Sequence, residues 1–271
     1  MRIQLIAAAT VATAVGFLFL STRELEAQSA ALNVLVSNGL KAATEDLQPE
    51  CERAVGHPLE MHFYSTASVR NKIEAGEGFD VSMITTEAID DLIKQGKLAA
   101  GSRTELGRSE LGIGIRAGAA KPDIRTPEAL KRTLREAKSI TYPQDGASRG
   151  YIEKMFERLG IAAEVKPKII LAVGSGPATE SVAAGKAGLV ITLFSEILPV
   201  HGVEILGPLP GEFHYAIRFG AAISSTANNA EAARALLACV TGPKAAPILK
   251  AKASSRGRDH YSQLTTFFAS S

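Results

Sequence analysis

Four short stretches hold the residues best placed for chemistry: Ser37-Asn38-Gly39, Ser65-Thr66-Ala67-Ser68, Asp145-Gly146-Ala147-Ser148-Arg149-Gly150 and Gly174-Ser175-Gly176-Pro177-Ala178-Thr179. Each combines small residues with hydroxyls where an apolar run gives way to a helix-period segment. A helix start leaves backbone N–H groups unpaired and carries the positive end of the helix dipole. Several such starts converging on one point would hold an anion without a fixed countercharge. Taken singly, these residues are ordinary N-caps and turn formers; four at the equivalent end of one sheet suggest a site. Arg149 is the nearest candidate clamp, because a guanidinium grips an oxyanion or carboxylate bidentately. Arg70 and Lys72 fit a solvated helix face.

Competing chemistries find less support. Gly146-Ala147-Ser148-Arg149-Gly150 formally matches the G-x-S-x-G nucleophile elbow, which requires an acid and then a histidine downstream. The next aspartate is Asp259, beside His260 in the tail. Glu180, Glu196 or Glu204 would have to substitute, with His201 or His214 as base, and no glycine-rich oxyanion loop accompanies them. No phosphate-cradling P-loop motif occurs, and Gly112-Ile113-Gly114 finds its next glycine at Gly118, one residue late for a dinucleotide fingerprint. His57, His62, His201, His214 and His260 show no metal-ligand spacing. Neither a bound metal nor a cofactor is expected.

The elements that must position the four loops alternate along the chain. Leu32–Val36, Leu59–Tyr64 and Val81–Thr85 read as strands, interleaved with helices over Leu40–Val55, Ser68–Ala75 and Glu87–Gln95. A second series has strands at Leu111–Ile115, Ser139–Tyr142, Lys168–Val173 and Leu189–Leu193. Its helices fall at Ala129–Ala137, Tyr151–Leu159 and Ala178–Ala184. The chain then returns through a strand, Tyr215–Ile223, and helices at Ala230–Val240 and Lys244–Lys252. Parallel strands need crossover helices, so the pattern predicts an α/β protein of two lobes, each a mostly parallel sheet flanked by helices. The functional crevice lies beyond the carboxyl ends of such strands. The expected division is 30–112 for the first lobe, 113–217 for the second, and 218–271 for the return to the first, with the ligand cleft between lobes.

Composition narrows the partners. The chain has 271 residues and a net charge of +2, from 30 basic and 28 acidic side chains. That balance offers no electrostatic footprint for a nucleic acid. Arg2 precedes an apolar run, Ile3 to Leu20, followed by Ala27-Gln28-Ser29-Ala30. A basic start, an apolar stretch and small residues at the cut make residues 1–29 a signal peptide, leaving an exported, periplasmic chain of about 242 residues. An uncleaved anchor helix is the alternative, and it exports the remainder equally. Export brings Cys51 and Cys239 into oxidising conditions. Both fall in helical patterns where cysteine is often simply buried, so two buried thiols are expected ahead of a bridge. The segment Ser254–Arg258 reads as a basic surface tail.

In order and spacing the mature chain resembles the molybdate-binding-protein family of periplasmic solute receptors, which serve ABC importers. The resemblance is carried by Val34-Leu-Val-Ser37, Ser65-Thr-Ala-Ser68 before Ile73-Glu-Ala-Gly76, and Phe79-Asp-Val-Ser82. It continues through Pro143 to Gly160, Ser181-Val-Ala-Ala-Gly185, Leu189-Val-Ile191, Ser195-Glu196 and Thr241-Gly-Pro-Lys-Ala-Ala246. It implies the type II periplasmic binding fold: two α/β lobes on a hinge, closing on a tetrahedral oxyanion held by neutral donors. Ser37, Asn38, Ser65, Thr66 and Ser68 would then bind from the first lobe, and Ala147, Ser148, Arg149 and Ser175 from the second. The expected partners are a small anionic ligand and a transporter permease, with the receptor itself a monomer.

Two departures bear on the ligand. Leu193 stands where the molybdate binders place a ligand-contacting tyrosine, and their Pro-Ala-Gly loop has become Ala147-Ser148-Arg149. Losing a phenol and gaining a guanidinium points to a larger, carboxylate-bearing ligand. The same superfamily includes an exported aconitate isomerase, which moves a double bond in an unsaturated tricarboxylate. For that chemistry the sequence offers Arg149 as clamp and Glu196, His62 or Tyr142 as base.

Overall fold

Leu32–Ser37 (β1), Leu59–Tyr64 (β2) and Val81–Thr85 (β3) form a parallel group in the order β2-β1-β3. Lys41–Val55 (α1) and Thr66–Glu74 (α2) supply its two crossovers, and Thr86–Lys94 (α3) follows β3. This computed structural model describes residues 31–253, so the expected leader at 1–29 and the tail from Ser254 lie outside the described residues. All five residues of β3 are buried, as are Val34, Leu35 and Val36 of β1. A strand enclosed on both faces reads as a continuous apolar run, and each such aliphatic contributes about 1.5–3 kcal/mol by leaving water.

The second parallel group comprises Ile140–Pro143 (β5), Ile169–Ala172 (β6) and Leu189–Leu193 (β7), with β5 between the other two. It is served by the helices Pro127–Glu136 (α4), Arg149–Arg158 (α5), the short Ala162–Val165 (α6), Ser175–Ala183 (α7) and the short Phe194–Ile197 (α8). Thr126 caps α4 by accepting from Ala129 N at 3.1 Å, ahead of Pro127 in the first turn.

Two long strands join the groups. Thr104–Arg116 (β4) pairs antiparallel with Ala216–Ile223 (β9) from Thr104 to Glu110, then with β7 from Leu111 and with Val203–Pro208 (β8) from Gly112. Every antiparallel pairing in the nine-stranded sheet involves β4 or β9, so each lobe keeps a parallel centre and the crossing strands carry the reversals. Leu111 N bonds Tyr215 O at 2.8 Å where the two crossings meet, and the Tyr215 ring stacks on Tyr151 of α5 at 4.0 Å.

The chain ends in Ala230–Thr241 (α9) and Ala245–Ala253 (α10), which pack against α1. That return brings Cys239 of α9 onto Cys51 of α1, and the two are joined in a disulfide. The expectation of two separate thiols is corrected here. Helical patterns locate each cysteine on a buried face, but only the return of the chain puts both faces together.

Candidate functional site

The carboxyl ends of β1, β2, β5 and β7 and the start of α7 meet around one cavity. Ser37 is the last residue of β1, extended, and leads into a single 3-10 turn over Asn38–Leu40. Ser65 caps α2, accepting from Ser68 N at 3.1 Å. Thr66 Oγ1 donates to Ser37 Oγ at 3.2 Å, which ties these two turns together. From the second lobe, Ser148 stands at the start of α5 and Ser175 at the start of α7, both buried. Asp145 Oδ1 accepts from Gly174 N at 3.2 Å, which holds their two loops side by side.

Of the ten binding residues expected from sequence, eight line the cavity: Ser37, Asn38, Ser65, Thr66, Ala147, Ser148, Ser175 and Leu193. Ser68 lies outside its lining, because its backbone N and its hydroxyl both engage the Ser65 cap, the hydroxyl at 2.9 Å. Arg149 also lies outside. Its Nε donates to Glu153 Oε1 at 2.9 Å and its Nη1 to Gln144 O at 2.8 Å, an (i, i+4) pairing along α5 that turns the guanidinium away.

Of the three candidate bases, only Glu196 reaches the cavity. His62 sits on the edge strand β2 facing Glu60 at 3.6 Å. Tyr142 is buried beside Phe156, and burial raises the pKa of its phenol. Among the described residues, no histidine lines the cavity beside Ser148. His201 faces a separate groove near Lys252, and His214 faces Glu110 at 3.4 Å, so neither pairs with Ser148 as its base.

The structure adds Pro143, Asp145, Gly146 and Phe219 to the lining. Phe219 comes from β9, far along the chain, and no local signal in the sequence points to it. Gly39 has a reason to be glycine here, since a Cβ would fall 2.6 Å from Phe219 Cζ. Gly112, once a dinucleotide-motif candidate, is glycine for packing, as a Cβ would meet Phe194 Cε1 at 2.2 Å and Gly207 O at 2.6 Å.

The cavity volume is about 20 Å³, room for little more than a water-sized sphere or a compact anion. It adjoins a larger depression of about 460 Å³ lined by Lys41, Glu45, Glu180 and Ser195. Asn38, Ser175 and Glu196 belong to both. Glu196 is the chemically unusual member. Burial pushes its carboxyl pKa up, against hydrogen bonds from Thr192, Ser175 and Leu193 N, and nearby Asp145 pushes in the same direction as burial. The site therefore combines hydroxyl and helix-start donors with two carboxyl groups.

Two α/β lobes with hydroxyl-bearing helix starts facing one cleft define a solute-binding architecture. The chain belongs to the family of bacterial extracellular solute-binding proteins, which it matches over residues 32–252. It is 32% identical over 245 residues to an aconitate isomerase from a Pseudomonas species, covering 88% of this chain and 93% of the relative. It is 26% identical over 231 residues to the molybdate-binding protein ModA of Azotobacter vinelandii, covering 83% and 90% respectively. In three dimensions it matches the periplasmic molybdate-binding protein of Azotobacter vinelandii with a TM-score of 0.68 at 22% identity, covering 82% of this chain and 97% of that one. These matches establish the type II periplasmic binding fold.

Proposed function

We propose that the protein is exported with removal of residues 1–29, captures a small anion between its lobes as a monomer, and delivers it to the permease of an ABC importer. The observation that carries this reading is the meeting of Ser37 and Thr66 from one lobe with Ser148 and Ser175 from the other around a single small cavity. Neutral donors fixed in a dry cleft replace the hydration of an anion without moving at the moment of capture. The lobes would part at Glu110/Leu111 and Tyr215/Ala216, where strand partners change. A thermal-shift panel of molybdate, tungstate, sulfate, dicarboxylates and tricarboxylates tests the proposal, followed by calorimetry on each anion that stabilises. One anion bound per chain and recovered unchanged is expected. No stabilisation by any member would overturn it.

A second reading, isomerisation of an unsaturated tricarboxylate, is favoured by Glu196. A carboxyl whose proton affinity is raised by burial can take a proton from one carbon and return it to another as the double bond moves. The substrate would occupy the larger depression as well, since the inner cavity of about 20 Å³ is too small for it. Proton NMR of cis- and trans-aconitate incubated with the mature protein separates the readings, interconversion supporting the isomerase and its absence removing it.

A further inference from the structure

Simple anion capture gives Glu196 no role, although its carboxyl stands in the wall common to the inner cavity and the outer depression. Thr192 Oγ1 and Leu193 N both donate to its Oε2, so that oxygen is anchored to the end of β7 and the start of α8. Ser175, at the start of α7, is hydrogen-bonded to the same carboxyl. Asp145, from the loop before α5, shares the inner wall with it, and Glu180 of α7 and Glu45 and Lys41 of α1 line the outer depression. The one ammonium among them is 3.8 Å from Glu45. An anion entering this wall therefore meets carboxylates on several sides. A further ionised carboxylate at Glu196 would oppose it, whereas a neutral acid there removes that charge and adds an O–H donor.

We propose that Glu196 faces the captured anion as a neutral acid and donates a hydrogen bond to it, so that capture takes up one proton wherever the free carboxyl is ionised and is selective for anions that accept such a bond. This rests on the anion-capture reading above. Burial, which already raises the proton affinity of the carboxyl, works in the same direction as an incoming anion. The coupling therefore has a definite sign. Affinity is highest at acidic pH and falls once the pH passes the proton affinity of the free protein, by at most about tenfold per pH unit for one proton.

The test is calorimetry of the mature protein with molybdate, sulfate and trans-aconitate from about pH 5, near the ordinary carboxylate range, to about pH 10. Each titration is run in two buffers of different ionisation heat, so that proton uptake is read directly. The wild type should bind without proton uptake where its free carboxyl is already protonated, and should lose affinity and take up close to one proton per anion at the pH values above that. Glu196→Gln keeps the size and a neutral N–H donor, and should bind with affinity flat in pH and no uptake. A wild-type protein that binds an anion with no pH slope and no proton uptake overturns the coupling while leaving capture intact, and this readout stands whether or not the variant folds. A Glu196→Gln variant with the wild-type slope overturns it equally. Binding of no probe at any pH removes the capture reading, and the coupling with it.

Discussion

Thr66 Oγ1 donates its proton to Ser37 Oγ at 3.2 Å, linking residues that are 29 apart in sequence at the mouths of two neighbouring strands. Having accepted that bond, the Ser37 hydroxyl can direct its own proton at an anion in the cavity, and a chain of two hydroxyls polarises each member. Ser37→Ala removes the donor outright. Its expected effect is a loss of about 1.5–3 kcal/mol in anion binding, the worth of a hydrogen bond to a charged group, with little change in melting temperature. Thr66→Val should weaken binding less, since it removes only the polarising partner. Calorimetry beside thermal melts checks both, and equal affinities in Ser37→Ala and wild type would remove Ser37 from the site.

Gly39 and Phe219 make a second test of the cavity wall. A methyl group at position 39 would stand 2.6 Å from Phe219 Cζ, and Phe219 lines the cavity. The ring must turn, and the space available to it includes the cavity itself. Gly39→Ala is expected to weaken anion binding at least tenfold while costing about 1–3 kcal/mol of stability by overpacking. Gly39→Ala combined with Phe219→Leu should recover part of the binding. A single variant that melts lower yet binds normally would show that the ring moves elsewhere.

Much of this cavity was legible in sequence because its parts are local. A strand end followed by Ser, Thr or Gly and a helix period names a loop; parallel pairing of β1 with β2 and of β5 with β7 puts such loops at the carboxyl end of each group, and the two ends meet at the cavity. Three things were not local. Phe219 enters from a strand that crosses between lobes, and β8 is recognisable only once its pairing with β4 is seen. Arg149 sits at the right position in the chain, but its orientation depends on Glu153 one helical turn later. A sequence reading that places a guanidinium beside a loop does not register the carboxylate that draws it away.

The Cys51–Cys239 disulfide closes a loop of 188 residues. Chain-entropy reasoning assigns a crosslink of that span about 5 kcal/mol, by restricting the unfolded chain. Reduction, or the Cys51→Ala and Cys239→Ala pair, should therefore lower stability by about 2–5 kcal/mol. The bridge joins α1 to α9 within the first lobe, so anion affinity should change little. Chemical denaturation with and without reductant measures the first effect and calorimetry the second. Unaltered midpoints on reduction would show that packing of α1 on α9 already fixes that lobe.

Glu196 also predicts how stability varies with pH in the absence of any ligand. Its folded-state pKa is raised, with burial the leading cause, so the native protein favours the protonated form more than the unfolded chain does. For a group shifted in this direction, the stabilisation is fully present below the unfolded carboxylate value, about 4.3, and is lost as pH rises through the folded value. Glu196→Gln carries no such proton. The wild-type protein should therefore become progressively less stable relative to Glu196→Gln as pH rises, by at most about 1.4 kcal/mol per unit, until the folded carboxyl ionises and the difference levels off. Other carboxylates affect both proteins alike and cancel in the comparison. Denaturant melts of the two at matched pH give the curve, and parallel profiles throughout would mean that Thr192 and Leu193 N hold Glu196 ionised despite its burial.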